Sequence, residues 1–198
     1  MGYTKVETLR QIYPSGTRLK LIHMEDSQSV PDGMTGTVDY VTSHPTTFVK
    51  SSSSTDYDWH YSSRDNTLWQ SEKTIYDPCP SGWRVPDGGS NGVWATAMGS
   101  LTSYKRSYDN TNKGMNFSGD FGSASTIWYP TLYLRNHDDG ALYNEGYQSY
   151  YWSSTPVSDR VTSNVYDLRF GNNGDVFLAN DANYRARGFS VRCLQESE

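Results

Sequence analysis

The sequence predicts an α+β chain made mostly of short strands and irregular loops, with one or two short helices and a small β segment at the N-terminus. Composition is the first reason. The 198 residues include 16 Tyr, 6 Trp and 6 Phe against only 6 Lys and 11 Leu, so strand and turn formers outnumber strong helix formers. The second reason is the last third of the chain. There YYWSST (150–155), VYDLRF (165–170), DVFLA (175–179) and GFSVRCL (188–194) are short strand-like runs separated by turn residues. The third is the shortage of helical patterning, since VWATAMGSL (93–101) is the best helix candidate and is short. A chain of this length suits one domain of ordinary size, with room for an appendage, and can bury about 70% of its unfolded surface.

Taken in order, TRLKLIH (17–23) and MTGTVDYV (34–41) alternate around a turn-rich VPDG and predict two strands of a small β unit. Residues 42–66 carry SSSST (51–55) and predict a loop or linker. KTIYDPCPSGWRVP (73–86) is too rich in proline and glycine to be regular, but its aromatics can pack it against a core. Residues 104–126 are polar and rich in Gly, Asn and Ser, with no convincing period. GNNG (171–174) predicts a hairpin turn. Within VYDLRF, Tyr166, Leu168 and Phe170 share one face, predicted to be core; Val165, Asp167 and Arg169 share the other, predicted to be available.

The net charge of −5 and the absence of a basic patch argue against nucleic acid. No run approaches 18 apolar residues, so no membrane-inserted segment is predicted. The start, MGYTK, lacks the apolar stretch of an export signal. Cys79 and Cys193 lie 193 − 79 = 114 residues apart. They are too few for a zinc site, and both a disulfide and two buried thiols remain open.

Catalytic patterns are weak. Asp138-Asp139 and FGNNGD (170–175) offer carboxylates, but without the spacing of a calcium loop and in residue types that turns use anyway. His23, His44, His60 and His137 are scattered, and neither a nucleophile elbow nor a phosphate loop occurs. The sequence therefore predicts no enzyme, no metal and no cofactor. Its positive signal is Tyr133, Tyr143, Tyr147, Tyr150, Tyr151, Tyr166 and Tyr184 set among Asn, Ser, Asp, Gly and Arg. In a binding surface, tyrosine supplies rigid contact area and small polar residues supply adaptable hydrogen bonds.

DPCPSGWRVP (77–86), YYWSST (150–155) and RARGFSVRC (185–193) resemble, in order, motifs of the Fibrobacter-type major paralogous domain of gut-bacterial surface proteins. That resemblance spans about residues 45–195 and implies a C-type lectin-like fold over 43–198, with a small β segment at 1–42. The C-terminal stretch resembles the variable region of diversity-generating retroelement targets, in which adenines, chiefly in asparagine codons, are randomised. Residues 132–190 contain no Lys or Met, and only Glu145, Gln148 and Trp152 among residues such codons cannot yield.

The resemblance implies a scaffold core of Trp83, Trp94, Trp152, Tyr166, Leu168, Phe170, Phe189 and Val191. It also implies a displayed ligand-binding face of Tyr133, His137, Tyr143, Tyr147, Tyr150, Asp159, Arg160, Asp167, Arg169, Phe177, Asn180, Asp181, Tyr184 and Arg187. The implied partner is a protein or glycan on a cell surface, met by a bacterial surface or phage virion protein for which homo-oligomeric display is suited. The rival readings are a fixed lectin-like adhesin or pilus-tip module and, less aptly, an enzyme like the formylglycine-generating enzymes, whose fold is related but which use a reactive cysteine pair. Residues 13–41 separately resemble the first half of a short domain of unknown function in bacterial and phage proteins, implying a partial SH3-like segment that docks on the main domain or mediates assembly.

Overall fold

The computed structural model describes residues 20–23, 36–50, 57–60, 65–98, 105–121, 124–158, 164–179 and 181–196. They form a set of small β-sheets with two short helices, an α+β arrangement. Near the N-terminus, β1 (Lys20–His23) pairs in parallel with β2 (Thr47–Lys50). The β unit thus continues past residue 42, inside a stretch expected to be loop.

Between these strands, α1 (Val38–Ser43) stands where the second half of the strand expected over 34–41 would fall, residues 34 and 35 lying outside the described residues. Its β-branched residues favour extended backbone, but capping wins. Thr37 Oγ1 accepts a 3.2 Å bond from the Tyr40 N–H, and the His44 N–H donates back to Tyr40 O at 2.9 Å.

The proline-rich segment is irregular, as expected. It ends in β3 (Trp83–Arg84), antiparallel to β13 (Leu194–Gln195), and Cys79 is disulfide-bonded to Cys193. Trp83, expected in the core, is 39% exposed, whereas Val85, just past β3, is fully buried. The loop after it closes on β9 (Gln148–Pro156): Ser154 N–H donates to Pro86 O at 2.9 Å and Gly88 N–H to Thr155 Oγ1 at 3.0 Å. A Cβ at Gly88 would lie 2.4 Å from Ser153 Oγ, so only glycine permits this approach. Next, α2 (Val93–Met98) buries Trp94 and Met98, one turn apart on the same face.

Residues 104–126, which show no period, contribute most of an antiparallel sheet: β4 (Lys105–Asp109), β5 (Gly114–Phe121) and β6 (Ala124–Pro130). Met115 and Phe117 of β5 and Tyr129 of β6 face the core. There they meet Trp94, Tyr151, Leu168 and Phe170, with Phe117 edge-on to Phe170 at 5.7 Å. A short hairpin follows, β7 (Leu134–Arg135) with β8 (Leu142–Tyr143).

The remaining sheet is antiparallel throughout. Its centre is β10 (Asn164–Gly171), which pairs with β9, with β11 (Val176–Phe177) across the GNNG turn, and with β12 (Ala182–Tyr184).

Candidate binding face

The register of β9 to β12 assembles the face. Leu168 pairs with Tyr151, and Phe170 with Ser149 and Val176, on the core side. The alternate positions fall on the other side, where Asp167 pairs with Trp152, Arg169 with Tyr150 and Phe177, and Val165 with Asn183. Four residues predicted for display (Tyr150, Asp167, Arg169 and Phe177) are therefore neighbours on one sheet face.

Their chemistry is interlocked. Arg169 Nε is ion-paired with Asp181 Oδ2 at 3.0 Å while its guanidinium lies 4.0 Å over the Phe177 ring. Asn183 Nδ2 donates to Asp167 Oδ1 at 2.8 Å and to Asp181 Oδ2 at 3.4 Å. Arg187 Nη1 donates to Asn183 Oδ1 and sits 5.3 Å over Tyr184. Tyr184 stacks on Tyr57 at 4.1 Å, and His137 meets both rings edge-on. Phe189 stacks on Tyr150 and on Trp152.

Three predicted display residues are in fact buried: Asp167 at 1% exposure, Tyr150 at 6% and His137. His137, in the β7–β8 hairpin, is covered by the Tyr57 and Tyr184 rings, while Asp167 and Tyr150 lie under Asn183 and Phe189. Side chains from the chain after β11 and from Tyr57 fold over this side of the sheet, so a position off the core is not a position in solvent. Arg169, Phe177, Asp181, Tyr184 and Arg187 are half-buried, which leaves them edges for contact. Asp159, Arg160 and Asn180 lie outside the described residues. Of the expected core, Trp152 is buried on this side of the sheet rather than in the core, and Tyr166, Phe189 and Val191 are only half-buried.

A second patch is open. Tyr133, Tyr143 and Tyr147 are exposed, Tyr147 at 67%. The Tyr133 hydroxyl donates to Glu145 Oε1 at 2.5 Å and the Tyr143 hydroxyl to Asp139 Oδ2 at 2.7 Å. Those bonds hold both phenols above their usual range. Tyr133, Glu145 and Tyr147 line a groove of about 510 Å3 with Lys113, Thr131 and Asn172. The groove borders the GNNG turn, because Asn172 N–H donates to Tyr147 O at 2.8 Å.

Sequence reading missed Tyr57, Asn183 and Glu145. Asn183 alternates with the predicted Asp181 along the chain and was findable by that signal. Tyr57 lies far from Tyr184 in sequence, and nothing local announces their stack. Among the described residues, no group of three or more His, Cys, Asp or Glu is placed to hold a metal ion.

The buried acids have a measurable consequence. Asp167 Oδ2 is buried with no hydrogen-bond partner. Burial, and secondly the charge of Asp181, hold the Asp167 carboxyl well above the ordinary carboxylate range. Asp181 is raised by burial as well, against the opposing pull of Arg169. A carboxyl raised on folding contributes stability that is complete below its unfolded pKa of about 4 and is lost as pH rises through the folded value. Urea unfolding should therefore show stability falling from pH 5 to pH 8, on the order of 1–3 kcal/mol, and Asp167→Asn should flatten that slope. Stability that climbs across this window would contradict the account.

Compared with known proteins, residues 3–56 match a domain of unknown function (DUF4314). The match falls on the segment containing α1 and the β1–β2 pair. No curated protein matches the chain, and no solved structure does.

Proposed function

We propose that this protein is a non-enzymatic binding protein with a C-type lectin-like fold, whose face is diversified by a retroelement to meet protein or glycan ligands on a cell surface. The observation that carries the reading is the β9–β12 register, which gathers aromatic, arginine and aspartate side chains from four strands and their connections onto one side of a sheet. The core packs on the other side, so the face can vary while the scaffold stays constant. Bacterial surface or phage virion is the corresponding location. Among the described residues, no helix is long and apolar enough to cross a membrane. Both cysteines are joined to each other, an arrangement unlike the reactive pair of the formylglycine-generating enzymes.

One observation favours the second reading, a fixed adhesin. Asp167, Asn183, Asp181 and Arg187 form a partly buried network in which each replacement strands a partner. Sequencing the 3′ third of the gene across a natural population separates the two. Substitutions confined to adenines and concentrated at Arg169, Phe177, Asp181, Tyr184 and Arg187 support diversification. An invariant stretch supports the fixed adhesin.

The two tyrosine environments predict different mutant behaviour. Tyr147→Ala should leave the melting temperature within about 1 °C, because the side chain is mostly in solvent, while weakening ligand capture. Tyr184→Ala should lower stability by about 1–2 kcal/mol, because it removes a stacked partner of Tyr57 and the platform under Arg187. Equal losses of melting temperature in the two variants would show that Tyr147 is packed.

A further inference from the structure

Beside the binding face lies a half-open pocket of about 130 Å3 walled by Trp59, Trp69 and Trp152, with Leu68, Pro156 and Val165. Trp152 and Val165 belong to the face described above, so the pocket adjoins its end. An apolar cavity of ~150 Å3 is large enough to take a benzene ring. Its walls are held in place: Trp152 stacks on Phe189 at 4.2 Å, and Trp69 Nε1 donates to Tyr76 O at 3.0 Å.

Several polar groups at its lining are already engaged. Ser153 Oγ donates to Tyr166 O and accepts from Thr155 N–H. Ser154 Oγ bonds to Pro86 O and Asp87. The Arg185 guanidinium donates to Asp65 O and to Asn66 Oδ1, and Thr67 donates twice to Asp65 Oδ1. A sugar ring inserted here would lose water from its hydroxyls against walls that are mostly indole and aliphatic, which disfavours it. An apolar ring has no such requirement and gains three indole surfaces.

We propose that this half-open site is an anchor pocket for a single apolar six-membered ring, of the kind a phenylalanine side chain on a protein ligand presents. Only the identification of a protein as the carrier rests on the binding reading; the pocket's preference for such a ring stands without it. Saturation-transfer NMR on the full chain, with benzyl alcohol and glucose as probes, tests it. Benzyl alcohol should give saturable transfer and glucose none. Val165→Phe should fill the pocket and weaken benzyl alcohol binding by about tenfold or more with an unchanged melting temperature. Should that variant not fold, Trp69→Ala carries the same expectation of weakened binding. No saturable transfer from benzyl alcohol, undiminished binding in the folded variant, or displacement of benzyl alcohol by glucose would overturn the proposal. Adenine-directed variation in the gene bears on the face and leaves this result unaffected.

Discussion

Removing the Cys79–Cys193 bond should lower the stability of this protein by roughly 4–5 kcal/mol. The bond closes a loop with a sequence separation of 114 residues, and in the chain-entropy description a loop of that length restricts the unfolded ensemble by about that amount. Its place in the fold makes the effect visible. It ties the irregular 73–86 segment to the end of the chain, where β3 and β13 share only two residue pairs. Two such pairs are too few to hold the ends together alone. Urea unfolding of Cys79→Ser with Cys193→Ser, beside the wild type with and without reductant, provides the measurement. The double variant and the reduced wild type should fall together, with Glu196 N–H losing its bond to Gly82 O as the terminal strand frays. A midpoint unchanged by reduction would mean that the β3–β13 junction stands without its covalent tie.

How much of this was legible beforehand follows from where the determining contacts lie. The GNNG hairpin, the core-facing Leu168 and Phe170 of VYDLRF and the helix at Val93–Met98 are fixed by residues a few positions apart, and the sequence shows them; the register shift between Val165 and Asp167 leaves Tyr166 only half-buried. The β4–β5–β6 sheet was hidden although Met115 and Phe117 alternate properly with Asn116 and Ser118, because the glycines, asparagines and serines around them imitate a loop. Over 38–43 the β-branched residues pointed to a strand, while a single threonine cap and the closing His44 were enough for a helix. Propensities differing by tenths of a kcal/mol are readily overridden by a cap worth about 1 kcal/mol.

The candidate face shows a different limit. Period-two alternation correctly separates Asp167 and Arg169 from Leu168 and Phe170, but it cannot reveal what lies on top of each side. Asp167 is covered because Asn183, Asp181 and Arg187 return over it from later in the chain, and Tyr57 reaches Tyr184 from much earlier. Such contacts are set by topology rather than by neighbours in sequence. Composition points to the palette expected of a contact surface, and only the three-dimensional structure divides those residues into the open Tyr133–Tyr147 groove and the interlocked Arg169–Asp181 network.

Asp77→Ala should be nearly as damaging as loss of the disulfide, costing roughly 3–5 kcal/mol. The Asp77 carboxylate organises a segment with almost no regular structure. Its Oδ1 accepts from Cys79 N–H at 2.8 Å and pairs with Lys73 Nζ at 3.0 Å, and its Oδ2 accepts from Val85 N–H at 2.8 Å. Lys73 retains a bond to Cys79 O and some access to water, so its loss is modest. The two backbone N–H groups have no such escape, since Cys79 and Val85 are buried. Asp77→Asn should recover part of the loss by keeping one acceptor, while its amide donor confronts a second donor. Because Asp77 holds the backbone of Cys79 itself, the alanine variant and disulfide removal should not be additive: once either is gone, the other constrains a segment already loosened. A double variant whose loss equals the sum of the separate losses would show that the carboxylate and the disulfide act on independent parts of the fold.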